Sequence, residues 1–306
     1  MDVNYHAIIV GGGPAGLAAA LYAARSRVKT LILERETPGG ELMNIDMVEN
    51  YPGYPDGVLG PDLGSNMMMQ ATKFGAELQF ADVKQLVPGT GEQLLKTAQG
   101  DFRTKAVIIA SGSHSKKLGV PGEEEFTNKG VFYCATCDGP RFAGKVVVVA
   151  GSGDSGLSEA LFLTAFVTKV LVIEILPQLM ANNTLQERVL ANPKIAVRCG
   201  TKIEAVRGKE HVELLEVADM KTGQKSSLKA DGLLVRVGLA ANTAYLKGTL
   251  PMTAVGQILV NDLMETTVPG IFAAGDVRHN SPMQIVTAVG DGATAAMRML
   301  KYLGVG

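Results

Sequence analysis

Two stretches of the chain share one pattern, in which a short apolar run leads through glycines into a longer apolar segment. Residues 5–26 read YHAIIVGGGPAGLAAALYAARS, and residues 144–166 read GKVVVVAGSGDSGLSEALFLTAF. Short runs rich in valine and isoleucine predict buried strands, and the alanine- and leucine-rich segments that follow predict helices. Each stretch therefore predicts a strand, a glycine turn and a helix.

Each glycine turn is followed by a second short apolar run that ends in a glutamate. KTLILE ends at Glu34 and KVLVIE ends at Glu174, each 23 residues after the first glycine of its own turn. Nearer the C-terminus, GIFAA predicts a further strand, and residues 284–303 predict a helix. This alternation of strands and helices predicts an α/β fold.

The glycines of both turns fit a dinucleotide-binding fingerprint. The pattern G-x-G-x-x-G occurs at Gly11, Gly13 and Gly16 and again at Gly151, Gly153 and Gly156. The first glycine permits a tight turn, the second admits a pyrophosphate, and the third lets the helix pack on the strand. The pyrophosphate then lies at a helix N-terminus, and the glutamate is placed to bind a ribose. Two such copies favour a flavin and a nicotinamide over two ordinary glycine turns.

Composition and charge narrow the class of protein. Of the 306 residues, 46% are hydrophobic and 19% are charged, which fits a globular protein large enough for two domains. The formal net charge is −1 and the basic residues are scattered, so we expect no nucleic-acid partner. We find no signal-peptide pattern at the N-terminus and no membrane-spanning apolar run, and we therefore expect a cytoplasmic protein without a membrane partner.

Two of the three cysteines lie close together, in the motif CATCDG at residues 134–139. A pair such as Cys134 and Cys137 can hold a metal, form a structural disulfide or transfer electrons. The odd number of cysteines argues against a disulfide framework, and four histidines with no second CxxC argue against zinc. We therefore expect no metal, and we interpret Cys199 as a small apolar residue in a strand.

Across essentially its whole length the chain resembles the low-molecular-weight thioredoxin reductases of bacteria and archaea. The motifs that carry the resemblance occur in order: GGGPAGLAAALYAAR, PGGEL, VENYPG, ASGSHSKKLGVPGE, CATCDG, GSGDSG and VPGIFAAGDV…MQIVTAVGDGATAA. The resemblance implies two Rossmann-like dinucleotide-binding domains, one inserted into the other, as in pyridine nucleotide-disulfide oxidoreductases. It implies a discontinuous FAD domain at 1–114 and 241–306, and an inserted nicotinamide-binding-like domain at 115–240 that carries the CxxC. It also implies a homodimer whose domains rotate between two states.

The resemblance assigns roles to individual residues. Cys134 and Cys137 become a redox-active pair, with Cys137 nearer the flavin, and Asp138 becomes a general acid or base unless it only stabilises the turn with Gly139. The residues expected to bind FAD are Gly11, Gly13, Pro14, Ala15, Gly16, Glu34, Gly40, Glu41, Leu42, Asn50, Val83, Ser111, Gly112, Gly275, Asp276, Met283, Gln284 and Ile285. Those expected at a nicotinamide site are Gly151, Gly153, Asp154, Ser155, Gly156 and Glu174.

The chain departs from the family pattern at the electron donor. NADPH-dependent members carry His-Arg-Arg where this chain has Glu174, Ile175 and Leu176, and they carry an arginine where it has Met283. A carboxylate about 4 Å from a phosphate charge is repelled by about 4 kcal/mol at an effective dielectric constant near 20. We therefore expect little use of NADPH and assign NADH, because a terminal glutamate binds a ribose hydroxyl.

Other functions remain open at this point. A subset of the family shares the glutamate in place of His-Arg-Arg, and related flavin enzymes take electrons from ferredoxin instead of a nicotinamide. The leading hypothesis is FAD-dependent reduction of a thioredoxin-like protein disulfide. The alternatives are the same reaction driven by ferredoxin, and a redox-sensing flavoprotein. The acidic run GEEEF at residues 122–126 predicts a solvated loop.

Overall fold

The computed structural model describes residues 5–45, 47–48, 50–133 and 135–305, and it describes only the backbone of Asn44, Thr136, Cys137 and Leu239. The chain divides into two units. The discontinuous unit comprises the chain up to His114 together with the chain from Ala240, and the inserted unit comprises Ser115–Leu239. The boundaries expected from the sequence differ from this division by at most one residue.

The strands are short. In chain order they are β1 (Tyr5–Val10), β2 (Thr30–Glu34), β3 (Met47–Val48), β4 (Val58–Leu59), β5 (Glu77–Phe80), β6 (Val83–Val87), β7 (Gln93–Thr97), β8 (Gly100–Ile109), β9 (Ser113–Ser115), β10 (Val131–Phe132), β11 (Val146–Ala150), β12 (Lys169–Ile173), β13 (Ile195–Arg198), β14 (Thr201–Gly208), β15 (Val212–Asp219), β16 (Lys225–Lys229), β17 (Gly232–Val235), β18 (Leu239–Ala241) and β19 (Ile271–Ala273).

The helices differ widely in length. They are α1 (Pro14–Arg25), α2 (Gly60–Lys73), α3 (Ala135–Asp138), α4 (Asp154–Leu163), α5 (Asn183–Ala191) and α6 (Ile285–Tyr302). Short 3-10 helices lie at Gly40–Asn44, Gly139–Phe142, Ala244–Leu246 and Gly275–Val277. Within the described residues, no helix is long and apolar enough to cross a membrane.

The discontinuous unit is built on a sheet with the order β5-β2-β1-β8-β7-β6, to which β19 adds by pairing with β8. The strands β5, β2, β1, β8 and β19 are parallel. Ile8, Ile9 and Ile32 are fully buried, because helices cover this part of the sheet on one face and apolar segments cover it on the other. Helices α1 and α6 pack so closely that a methyl group at Gly292 would lie 2.1 Å from the carbonyl oxygen of Ala15.

The inserted unit repeats this plan on a smaller scale. Its parallel sheet has the order β10-β17-β11-β12-β13, and a separate antiparallel sheet is formed by β14, β15 and β16. The valines at 147–149 are fully buried, as a central parallel strand requires. Each of the two large sheets therefore contains one of the strand–turn–helix patterns that the sequence predicted.

Three details refine the sequence-based expectations. The helix expected at 284–303 is observed as α6 at Ile285–Tyr302, and GIFAA contains β19. The small polar segments at the two unit boundaries form strands β9 and β18, which pair with each other. Cys199 lies just after β13 rather than in a strand.

The prediction of a solvated loop at residues 122–126 holds only in part. The segment forms a turn in which Glu124 and Glu125 are exposed, but two of its other residues are buried. Glu123 is 2% exposed and Phe126 is 4% exposed. Both oxygens of the Glu123 carboxylate accept hydrogen bonds from within the inserted unit, which makes its burial possible.

Candidate active site

The first glycine turn forms a cradle between β1 and α1. Gly11 has φ +103°, and a methyl group there would lie 2.4 Å from the carbonyl oxygen of Ala110. A methyl group at Gly16 would lie 1.9 Å from the carbonyl oxygen of Gly11, so this position must also be glycine. Next to Gly13, by contrast, there is open space. Helix α1 begins here with Pro14 and without a side-chain cap, which leaves its N-terminus available to a phosphate.

Glu34 lies at the end of β2, beside this cradle. Its Oε2 accepts a hydrogen bond from the N–H of Gly12 at 2.6 Å, and its Oε1 accepts one from the N–H of Glu36 at 2.8 Å. Both oxygens are thus fixed by the backbone, and a carboxylate retains further lone pairs for ribose hydroxyls. This is the geometry expected of a residue that binds an adenosine ribose.

Two other predicted segments of the discontinuous unit reach the same cradle. A methyl group at Gly40 would lie 3.2 Å from the Cα of Gly13, and one at Gly275 would lie 2.9 Å from the Cβ of Ala15. Asp276 follows Gly275 and accepts a hydrogen bond from the hydroxyl of Ser281 at 3.2 Å. Burial raises the pKa of Asp276, and the nearby carboxylates of Asp291 and Glu41 raise it further.

The remaining predicted residues of this unit fall into three groups. The side-chain amide of Asn50 donates a hydrogen bond to Gln284 at 3.0 Å. This bond connects the VENYPG segment to the start of α6, where Met283, Gln284 and Ile285 lie. Ser111 and Gly112 follow β8, and Ser111 Oγ donates to the carbonyl of Asn242 at 2.8 Å. The side chains of Leu42 and Val83 are buried in apolar clusters, so only their backbones are left to contact a ligand.

The inserted unit contains a second cradle of the same shape. Gly151 has φ +107°, and a methyl group there would lie 2.1 Å from the carbonyl oxygen of Arg236. A methyl group at Gly156 would lie 2.3 Å from the carbonyl oxygen of Gly151, whereas the space next to Gly153 is open. Helix α4 begins at Asp154 and has no side-chain cap. The two fingerprints are therefore equivalent in their backbone geometry.

Glu174 reproduces the hydrogen bonds of Glu34 and adds one. Its Oε2 accepts from the N–H of Ser152 at 2.9 Å, and its Oε1 accepts from the N–H of Leu176 at 3.0 Å. The hydroxyl of Ser152 also donates to Oε2 at 2.7 Å, and it accepts from the N–H of Met180 at 3.1 Å. Glu174 is only 7% exposed. Its carboxylate is thus more fully satisfied inside the protein than that of Glu34.

The start of α4 carries a negative charge that the start of α1 lacks. The Oδ1 of Asp154 accepts hydrogen bonds from the N–H of Asn182 at 2.8 Å and from the side-chain amide of Asn182 at 3.0 Å. Asp154 and Ser155 are exposed. A pyrophosphate at this N-terminus would lie next to a carboxylate, which weakens its attraction to the helix dipole.

The CxxC motif lies partly outside the described residues. Cys134 is not described, and Cys137 is described only by its backbone, which belongs to α3. Asp138 ends α3, and its carboxylate pairs with Arg141 at 3.0 Å. The proposed acid–base residue is therefore held by a charged partner that the sequence analysis did not consider.

The two neighbours of Cys134 in the sequence are each tied to a carboxylate. The hydroxyl of Tyr133 donates to Glu123 Oε1 at 2.9 Å, and the pKa of Tyr133 is raised to about 12 by burial and by that hydrogen bond. The N–H of Ala135 donates to Glu159 Oε2 at 3.2 Å. Glu159 in turn forms an ion pair with Arg236. The sequence analysis missed Glu159 and Arg236, because 77 positions separate them and neither belongs to a motif.

Among the described residues, no group of three or more histidine, cysteine, aspartate or glutamate side chains could hold a metal ion. Cys199 lies near Glu174, and burial followed by that charge raises the pKa of its thiol.

Two glycine cradles, each with a fixed carboxylate, together with a CxxC motif define an oxidoreductase that couples dinucleotides to a disulfide. The family model described as pyridine nucleotide-disulphide oxidoreductase matches residues 5–292. The thioredoxin reductase of Bacillus subtilis (strain 168) is 41% identical over 300 residues, covering 98% of this chain and 95% of that protein. The chain belongs to the thioredoxin reductase family of these oxidoreductases.

Solved structures agree with this assignment. Lactococcus lactis thioredoxin reductase in its FR conformation matches with a TM-score of 0.93 at 37% identity, covering 98% of this chain and 99% of that chain. The thioredoxin reductase of T. acidophilum matches with a TM-score of 0.90 at 33% identity and 99% coverage of both chains. A ferredoxin-flavin thioredoxin reductase from Clostridium acetobutylicum is more distant, with a TM-score of 0.54 at 27% identity and 99% coverage of both chains.

Membership of this family implies FAD and a nicotinamide cofactor, and the residues present fit FAD in the discontinuous unit. The open space at Gly13, the uncapped start of α1 and the fixed carboxylate of Glu34 suit the pyrophosphate and ribose of a dinucleotide. The second cradle has the same open space at Gly153. It differs in the charge of Asp154 and in the hydroxyl that Ser152 directs to Glu174.

Proposed function

We propose that this chain is an FAD-dependent reductase of thioredoxin-like protein disulfides that works through Cys134 and Cys137, in the cytoplasm and as a homodimer. The observation that carries the proposal is the CATCDG motif, which lies in the same unit as a second complete dinucleotide cradle. The relatives named thioredoxin reductase support thioredoxin as the class of substrate. In this proposal the FAD domain is the discontinuous unit, and the inserted unit is the nicotinamide-binding domain.

Bound FAD, once reduced by the electron donor, would supply the two electrons that, together with two protons, convert the Cys134–Cys137 disulfide into a dithiol. One thiolate of the pair then attacks a sulfur of the partner disulfide and releases the other partner sulfur as a thiolate. The second cysteine attacks the resulting mixed disulfide, which frees the reduced partner and restores the Cys134–Cys137 disulfide. Asp138 is placed next to Cys137 in the sequence, where its carboxyl group can carry protons to and from these sulfurs.

The electron donor that we propose is NADH rather than NADPH. Glu174 accepts the same two backbone hydrogen bonds as Glu34, and this geometry supports a role in binding ribose hydroxyls. The side chains that follow it, Ile175 and Leu176, are 49% and 44% exposed and carry no charge. A 2′-phosphate would therefore meet a carboxylate and two apolar groups instead of cations.

A second candidate is the same reaction driven by a ferredoxin. The hydroxyl of Ser152 occupies part of the hydrogen-bonding capacity of Glu174, and Asp154 places a negative charge where a pyrophosphate would bind. Both features disfavour a nicotinamide dinucleotide. The ferredoxin-flavin thioredoxin reductase among the structural neighbours supports this alternative.

Anaerobic titration of the oxidised flavoprotein with NADH, NADPH and reduced ferredoxin, each added separately, tests the donor. We expect rapid loss of the flavin absorbance with NADH and a rate at least about a hundredfold lower with NADPH. Loss with ferredoxin alone would favour the second candidate. Equal rates with both nicotinamides would contradict the assignment of Glu174.

Serine variants of the cysteines test the disulfide chemistry independently of the donor. Cys134→Ser and Cys137→Ser should each abolish reduction of a thioredoxin disulfide while FAD remains bound and is still reduced by the donor. Cys199→Ser is the matched control and should retain activity. If the unmodified protein reduced only a few disulfides per flavin in total, a redox sensor would be favoured over a reductase.

A further inference from the structure

The ion pair between Glu159 and Arg236 connects the CxxC segment to two other elements of the inserted unit. Glu159 lies on α4, and Arg236 directly follows β17. Their side chains are 18% and 20% exposed, which makes this pair more buried than most ion pairs of the protein. Arg236 also donates to Ser115 Oγ at 3.3 Å, so its guanidinium is held from a second side.

Glu159 fixes the backbone of the CxxC motif directly. Its Oε2 accepts the N–H of Ala135, the first residue of α3 and the residue that follows Cys134. The carboxylate that accepts this hydrogen bond is therefore bound to the residue next to Cys134 in the chain. A unit charge about 8 Å from a thiol shifts its ionisation by between about one and two pH units at an effective dielectric constant near 20.

We propose that Glu159 and Arg236 are positioning residues for the Cys134–Cys137 pair, and that the balance of their two charges sets the pH at which its more acidic thiol ionises. In the intact protein the effects of the Glu159 and Arg236 charges on the ionisation of this thiol nearly cancel. The carboxylate holds the backbone of α3, and the guanidinium prevents that carboxylate from suppressing the thiolate. The inference rests on the proposed redox role of the two cysteines.

Other charged groups also lie near α3 and remain unchanged in the experiment. Asp138 on α3 pairs with Arg141 of the following 3-10 helix. The pocket that Asp138 lines has a volume of about 170 Å³ and is also lined by Lys129, Lys145, His211 and Asp231. Because these groups are the same in every variant, their effects cancel when variants are compared with the original protein.

The test uses the FAD-bound protein, reduced with dithiothreitol and then alkylated with iodoacetamide between pH 5 and pH 10. Peptide mass spectrometry reads the alkylation of Cys134 and Cys137 separately. Glu159→Gln leaves a positive charge, so we expect the pH midpoint of the more acidic cysteine to fall by about one unit. Arg236→Gln leaves a negative charge, so we expect that midpoint to rise by about one unit.

Two further variants make the test decisive. The double variant Glu159→Gln/Arg236→Gln removes both charges, and its midpoint should return to within about 0.3 units of the original. Arg207→Gln is the matched control, because it breaks an ion pair with Glu216 in the separate antiparallel sheet, and it should leave the midpoint unchanged. A merely structural role predicts shifts of the same sign in both single variants, and that result, or no shift, would overturn the proposal.

Failure here can be distinguished from failure of the proposed function. If alkylation does not respond to these charges but Cys134→Ser and Cys137→Ser still abolish disulfide reduction, only the positioning role is wrong. If the serine variants remain active, the dithiol mechanism itself is wrong.

Discussion

Glu123 is a buried carboxylate with a well-defined structural task. It accepts hydrogen bonds from the N–H groups of Leu118 and Gly119 at 2.9 and 2.7 Å, and from the hydroxyl of Tyr133. Each of these donors loses its partner if the carboxylate is removed. Because Tyr133 precedes Cys134, the same residue also fixes the chain where it enters the CxxC motif.

Glu123→Ala should therefore lower the free energy of unfolding by about 2–4 kcal/mol, since it leaves three donors without an acceptor in a partly buried place. Chemical denaturation of the FAD-bound protein measures this change. Glu124→Ala is the neighbouring control, because the Glu124 side chain is 91% exposed and pairs with Lys117 at 3.7 Å on the surface. Its expected cost is below about 0.5 kcal/mol, and equal costs in the two variants would contradict the role of Glu123.

At the scale of single residues, the sequence predicted the roles of the motif residues but not the contacts of the residues outside them. The fingerprint glycines and the two glutamates follow from spacing, because each must occupy one place in a strand–turn–helix unit. The burial of Glu123 did not follow, since an acidic run is locally indistinguishable from a solvated loop. The pairing of Glu159 with Arg236 depends on how distant strands and helices pack, and a single sequence does not reveal that.

The packing of α1 against α6 connects the first cradle to the C-terminal part of the chain. Gly275 approaches the Cβ of Ala15, and Gly292 of α6 approaches its carbonyl oxygen. Arg278 reinforces this arrangement by pairing with Asp291 of α6 at 2.6 Å, and Asp291 accepts the N–H of Gly275 at 3.1 Å. The helix that opens near the predicted flavin site is thus fixed by both small residues and an ion pair.

Gly292→Ala should destabilise the protein by about 1–3 kcal/mol, because the added methyl group would lie 2.1 Å from a backbone oxygen and must push α6 away from α1. It should also lower the amount of FAD that copurifies, which the ratio of flavin to protein absorbance measures. Gly290→Ala lies on the same helix with open space around it and should leave stability unchanged or raised by up to about 1 kcal/mol. A Gly292→Ala protein as stable as the Gly290→Ala protein would show that α6 can move without cost.

Strands and helices were predicted more completely from the sequence than the contacts between them. Buried parallel strands are apolar throughout, so β1, β2, β11 and β12 were visible as valine, isoleucine and leucine runs. The bounds of α6 were within one residue at each end. Only the structure reveals that β9 and β18 pair, because such short strands have no periodic signal.

The electron donor concerns the molecule as a whole, because the identity of the donor determines the overall reaction that the protein catalyses. Replacing Glu174, Ile175 and Leu176 by His, Arg and Arg should raise kcat/KM for NADPH by about tenfold or more if the second cradle binds a nicotinamide. Stopped-flow reduction of the flavin measures it. The side chains of Ile175 and Leu176 are exposed, so the two arginines have room in the folded protein.

A double variant separates the attraction of the 2′-phosphate to the two arginines from its repulsion by Glu174. Ile175→Arg/Leu176→Arg retains Glu174 and should gain much less with NADPH than the triple variant, because the carboxylate still repels the 2′-phosphate. If the triple variant gains nothing while ferredoxin reduces the flavin, the second cradle has lost its role in binding a donor.

The insertion of one unit into the other has a consequence for biosynthesis. The inserted unit is continuous in the chain, so all of its strands and helices are available once Leu239 has emerged from the ribosome. The other unit must wait longer, because β8 lacks its neighbour β19 and α1 lacks α6 until the last residues are made. The nascent chain therefore exposes an incomplete first sheet from the synthesis of β8 until that of α6, and its apolar surface is available to chaperones throughout that time.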